Sequence, residues 1–204
     1  MLAARNNFLT ASGGPSYELG LSSALLTFSG QNSSWSQETI DISLYKGATA
    51  RLVFYYQSLP VSNGYQGDLQ LDDINIDGTL WTFETSFSWQ TTNTNILLSN
   101  FSNAQSAYNA AASAFISVPS GTSAGLWNRD LGGTPSSSTA LAYDHTLGNS
   151  AGYYLYAETS VTHPYGFWLR SPTFTLSNSP TLDFWNARYG ATIGSCSVYL
   201  DVIS

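Results

Sequence analysis

Charge is the scarcest property of this chain: 204 residues carry six Lys and Arg, 13 Asp and Glu and two His, for a net charge of −7. Lys46 is the one lysine, and the five arginines are scattered. Nucleic acid is thereby excluded as a partner, because its affinity rests on Lys and Arg neutralising phosphates. Cysteine is as scarce. Cys196 stands alone, so no intrachain disulfide forms, and its place in the alternating run Gly194-Ser195-Cys196-Ser197-Val198 reads as a small buried hydrophobe. Long apolar runs are missing too. No window reaches the roughly 18 residues of a membrane helix, so no membrane insertion is expected, and the opening residues lack the apolar stretch of a signal peptide.

What is present is apolar and aromatic: 43% hydrophobic and 14% aromatic residues, enough buried area to offset chain entropy and exclude disorder. With 9% charge, the surface is wetted instead by Ser, Thr, Asn, Gln and Tyr. The length allows one domain of about 200 residues or two of about 100.

Period-two patterning dominates. Strands are expected at Tyr17–Leu21, Leu25–Ser29, Glu38–Ser43, Ala50–Gln57, Asp68–Ile76, Tyr153–Glu158, Gly166–Leu169, Phe174–Leu176, Thr181–Tyr189 and Ser197–Ile203, with Gly, Pro, Asn and Ser clusters between them. Ten short strands without helical crossovers give an all-β protein, an antiparallel β-sandwich of jelly-roll type. Ser102–Phe115 is Ala-rich and reads as a short surface helix or an ordered loop. The polar stretch from Trp89 to Thr139 reads as a long functional or contact loop.

Several motifs, in order, resemble the MAM domain, an extracellular β-jelly-roll module of adhesion and receptor proteins. Ala50-Arg51-Leu52-Val53-Phe54 followed by Gly67-Asp68-Leu69-Gln70-Leu71-Asp72-Asp73-Ile74 is similar to the closing half of that family, and Trp35 to Ile42 to one of its strands. Phe83-Glu84 with Trp89, Trp127 with Arg129, Thr134-Pro135-Ser136, Asp144-His145-Thr146, Gly152 to Ser160 and Ser171-Pro172 resemble the opening half. The resemblance spans roughly Trp35 to Leu200, lacks the family's cysteines, and runs in permuted order. Residues 1–78 then form a closing half and 79–204 an opening half. They are pieces of two modules, one permuted jelly roll, or halves strand-swapped between copies. A weaker resemblance in composition links the chain to surface and fibre proteins of tailed-phage virions.

The acidic cluster Asp68, Asp72, Asp73 and Asp77 is the densest charge group. On a regular strand Asp68, Gln70 and Asp72 share a face and Asp73 takes the other. The resemblance implies a structural Ca²⁺ held by Asp73 and Glu84, with Asp144 joining them; the alternative is that these carboxylates cap turns and pair with backbone N–H groups or Arg51. Asp144, His145 and a serine could be drawn as a hydrolytic triad, yet no Gly-x-Ser-x-Gly elbow exists, so no enzyme is expected. Among six tryptophans, Trp168 with Tyr165, near His163-Pro164, is the expected exposed pair for ligand binding, and surface glycans are the ligand class it suits. The function expected is a non-catalytic structural or interaction module, extracellular or on a virion surface, assembling with copies or partners and adhering to host or cell surfaces. The alternative is a Ca²⁺-dependent, lectin-like glycan-binding module.

Overall fold

The computed structural model describes residues 18–59, 66–94, 100–160 and 166–204. Among the described residues, fourteen strands form two antiparallel sheets that face each other. The first sheet contains β1 (Gly20–Leu21), β2 (Leu26–Ser29), β4 (Thr49–Gln57), β7 (Gln90–Thr94), β8 (Ile116–Ser117), β11 (Gly166–Arg170), β12 (Phe174–Thr175) and β14 (Ser195–Val202). Its main path runs β1-β14-β4-β11-β7-β8. The second holds β3 (Ser36–Asp41), β5 (Gln70–Ile76), β6 (Thr79–Trp81), β9 (Trp127–Leu131), β10 (Tyr153–Ala157) and β13 (Thr181–Ala187), in the order β3-β13-β5-β10-β9.

The two sequence halves interleave in both sheets. β4 lies between β14 and β11, and β5 lies between β13 and β10. Each of these central pairings joins residues before 78 to residues after 79. The apolar alternation builds the core: Leu52, Phe54 and Tyr56 of β4, Leu71, Ile74 and Ile76 of β5, and Leu155, Phe167, Phe184 and Leu200 meet between the sheets. Cys196 is buried there as a free thiol.

β4 is apolar on both faces for a reason outside the sandwich. Val53 and Tyr55 point outward and meet α1 (Ala104–Ala111), which lies on that face with Ala107, Tyr108 and Ala111 against Trp168 and Tyr199. Asn103 caps the helix by accepting from the Ser106 N–H at 2.8 Å, satisfying a first-turn donor. Gln105 ties it to β1 through the Leu21 N–H. The expected Ser102–Phe115 segment is thus a helix, shorter than its Ala-rich run and continued by one 3-10 turn at Ala112–Ala114.

Trp168 does not stand exposed. It is fully buried under α1, 4.4 Å from the Tyr55 ring centroid and 5.4 Å from that of Tyr108. The successive apolar residues Phe167, Trp168 and Leu169 fill both faces of β11, so the indole has no solvent face to offer a ligand. Tyr165, like His163 and Pro164, lies outside the described residues. The polar stretch 89–139 is not one loop: it contains β7, α1, β8 and β9.

Candidate functional site

The outer face of the second sheet is where the chemistry-bearing residues gather. Asp68, Gln70 and Asp72, at period two along β5 and the residues leading into it, point away from the core and are completely buried. Their cover is a strap, residues 132–149, laid across the sheet. Asp68 accepts from Thr139 Oγ1 at 2.9 Å and from the Thr159 N–H and hydroxyl at 3.2 and 3.0 Å. Gln70 accepts from the Leu141 N–H at 2.7 Å and donates to the Leu141 carbonyl at 3.1 Å. Asp72 accepts from the His145 and Thr146 N–H groups at 2.9 and 3.3 Å. Gln70 and Asp72 therefore give the strap's buried backbone the partners it needs, and Asp68 anchors the strap through the Thr139 hydroxyl.

Asp73 departs from strict alternation. The β5–β13 register shifts between Asp183 and Trp185, Asp73 has φ of +45°, and the bulge turns it to the same side as Asp72 rather than to the opposite side. There its carboxylate meets His145 Nδ1 at 2.6 Å and accepts from Thr146 Oγ1 at 2.7 Å. The His145 ring stacks on Trp185, with centroids 3.7 Å apart and planes 17° from parallel. Trp35 stands edge-on to both His145 and Tyr154 and donates from Nε1 to the Tyr143 carbonyl at 3.2 Å.

Burial raises both grips in pKa. Asp72 is pushed up to about 8, chiefly by desolvation and then by the Asp73 charge, against the pull of its N–H donors. Asp68 is pushed up to about 6 by desolvation and by the neighbouring Glu158 carboxylate.

The three carboxylates of the expected calcium set have other occupations. Asp144 accepts from the Leu147 and Asn149 N–H groups at 2.6 and 3.1 Å and caps the turn that closes the strap. It packs so tightly on Gly152 that a Cβ there would come within 2.1 Å of the carboxylate carbon. Glu84 accepts from the Tyr153 N–H at 2.8 Å, and Asp73 holds His145 and Thr146. Among the described residues no three His, Cys, Asp or Glu come together as a metal-binding group. The residues present do not fit a Ca²⁺ cage, which needs six to eight oxygens around one point. Their behaviour is that of turn caps, although Arg51 pairs with Asp201 at 3.2 Å and not with the acidic cluster. His145 pairs with Asp73 instead of Asp144, and no described serine hydrogen-bonds to its ring, so the hydrolytic triad does not assemble.

The remaining motif residues are structural in the same way. Arg129 donates from Nε to the Phe83 carbonyl at 2.6 Å and from a terminal nitrogen to the Glu84 carbonyl at 3.1 Å, with its guanidinium 3.4 Å above the Tyr153 ring. This clamp holds Phe83 at φ of +62°, a conformation costly for a bulky side chain. Ser171 accepts from the Leu52 N–H at 2.9 Å. Trp127 is fully buried and donates from Nε1 to the Phe167 carbonyl at 3.2 Å.

Among the strap's exposed residues, two are large and apolar or aromatic. Tyr143 is 37% exposed and Leu147 53% exposed, with half-buried Trp35 and His145 between them. The residues that sequence reasoning missed are Trp35, Trp185, Tyr143 and Leu147. A signal is present for three of them, since Trp35, Tyr143 and Trp185 fall in the segments Trp35–Ile42, Tyr143–Thr146 and Asp183–Trp185 that resemble the family's motifs.

Residues 118–203, which include β9 to β14 and the whole strap, match the family model of the MAM domain, meprin/A5/mu. No solved structure matches the chain.

Proposed function

From the premise that this chain is a MAM-like jelly roll, we propose that it is a non-catalytic interaction module working outside the cell, on a cell or virion surface, and that it associates with copies of itself through the crest of the strap. The observation that carries the reading is the crest itself. Tyr143 and Leu147 are exposed on a segment whose backbone is held by Gln70, Asp72 and Asp144 and whose Thr139 hydroxyl is held by Asp68, and Trp35 donates to the Tyr143 carbonyl. Aromatic groups such as Tyr and Trp dominate interface energetics, and a backbone already fixed by hydrogen bonds costs no loop ordering on binding. The low charge favours the same reading: contacts here would rest on apolar burial and hydroxyl hydrogen bonds rather than on steering by ions.

A photoreactive benzoylphenylalanine placed at position 143 tests this directly. It should capture a second copy of the chain, and the captured peptide should map to the strap or to β3 beside Trp35. The same label at Lys46, in the turn that precedes β4, should capture none.

A further inference from the structure

An open strand edge invites pairing with another chain, and most edges of this sandwich are short or covered. β1, β8 and β12 have two residues, β6 three and β2 four. The outer side of β9 is covered where Arg129 donates to the Pro119 carbonyl at 2.9 Å and Gly121 to the Arg129 carbonyl at 3.0 Å. β3 differs: it has six residues, stands last in its sheet, and has no backbone partner beyond β13 among the described residues. The phase of the ladder shows which of its groups are free. The Ser36 carbonyl faces β13, accepting from Asn186 Nδ2 at 3.1 Å. Thr181, opposite Asp41, turns its carbonyl to β5 instead, where it accepts from the Asp77 N–H at 2.8 Å. The backbone groups of Ser36, Glu38 and Ile40 therefore point to β13, and those of Gln37, Thr39 and Asp41 point away from it.

Side chains alternate between the two faces of the strand. Gln37, Thr39 and Asp41 are exposed, whereas Ile40 is buried in the core between the sheets. Glu38 shares the face of Ile40 and lies opposite Phe184, a fully buried core residue. A half-buried carboxylate thus stands in the core-facing row of an edge strand, and it has no hydrogen-bond or ion-pair partner among the described residues. Packing does not call for it, since an apolar side chain at this rim would bury area against Phe184 without desolvating a charge. We propose that Glu38 closes the β3 edge against the β3 strand of a second copy. Pairing there would run through the free groups of Gln37 and Thr39 and continue the sheet across both copies. It would also carry both Glu38 carboxylates out of water, with no Lys or Arg on β3 to pair them. The role of this device rests on association through the crest. Trp35 immediately precedes β3, so copies that meet at the crest bring their β3 edges close, and Glu38 keeps that contact from turning into sheet pairing.

The test uses the full chain carrying Tyr143→Ala and Leu147→Asp, which removes the crest, and follows self-association by sedimentation velocity. Adding Glu38→Val should produce a dimer and tighten self-association about tenfold or more. Hydrogen exchange in that dimer should show the Gln37 and Thr39 backbone amides gaining protection. Glu38→Gln, which removes the charge at nearly constant volume, should move association the same way. Thr39→Val adds apolar area on the outer face, keeps Glu38, and should leave the chain monomeric. A Glu38→Val chain that stays monomeric would overturn the proposal. So would association that leaves those two amides unprotected, or a Thr39→Val chain that associates equally. Comparing the wild-type chain with and without the crest substitutions reads the crest separately, so either reading can fail while the other stands.

Discussion

Gln70 holds Leu141 by both of its backbone groups, the N–H at 2.7 Å and the carbonyl at 3.1 Å. The pairing imitates one rung of a β-ladder with a side chain in place of a strand. Gln70→Leu leaves both groups buried without partners, at about 1–3 kcal/mol each. Urea denaturation should show a loss of about 2–4 kcal/mol. Hydrogen exchange should show the Leu141 amide losing protection before the core strands do.

Asp68 and Asp72 make the stability of the fold depend on pH in an unusual direction. Both carboxyls titrate higher in the folded chain, at about 6 and about 8, than in the unfolded one. Between about pH 4 and these values the folded state holds protons that the unfolded chain has released, so stability falls as pH rises. The melting temperature should therefore be higher at pH 5 than at pH 8, and Asp72→Asn should remove most of the difference.

Gly152 sits where any side chain meets the Asp144 carboxylate. Gly152→Ala should displace Asp144 from the Leu147 and Asn149 N–H groups and cost about 1–3 kcal/mol. Wild-type stability in this variant would show that the strap's closing turn is not held as described.

Trp168 is a core residue on the helix-covered face. Trp168→Ala should destabilise by about 3–5 kcal/mol in chemical denaturation and loosen α1 from β11. Were it a ligand contact alone, stability would be unchanged.

The carboxylates at Asp73, Glu84 and Asp144 are satisfied by protein donors. Calcium at millimolar concentration should leave the melting temperature where chelator leaves it, because an ion that binds no site in the folded state adds no linkage term. A rise of several degrees would restore the metal.

Much of the sandwich is legible in the chain because half-buried strands alternate. Thr181–Ala187 writes its core face directly into the sequence through Leu182 and Phe184, whereas Ala50–Gln57 is a continuous apolar run because both of its faces are buried. Four strands have no period-two signal: Thr79–Trp81 and Ile116–Ser117 are only three and two residues long, and Gln90–Thr94 and Trp127–Leu131 are mostly polar, with Asn93 and Asn128 hydrogen-bonded to loop carbonyls. The bulge at Asp73 was written in Leu71-Asp72-Asp73-Ile74, where two polar residues separate two core residues, but a regular strand was assumed. Carboxylate spacing could not tell a metal ligand from a turn cap, because both want the same oxygens and only the fold supplies the donors. Likewise Trp168 reads as exposed only if α1 is not placed over it, and that contact joins residues some 60 apart in the chain.

Association through the strap's crest is tested most directly by sedimentation velocity over a hundredfold range of protein concentration. Wild-type chain should pass from monomer to dimer as concentration rises, while Tyr143→Ala combined with Leu147→Asp stays monomeric with an unchanged melting temperature. Wild-type protein that remains monomeric throughout, or a double variant that dimerises equally well, would contradict the crest as the interaction surface.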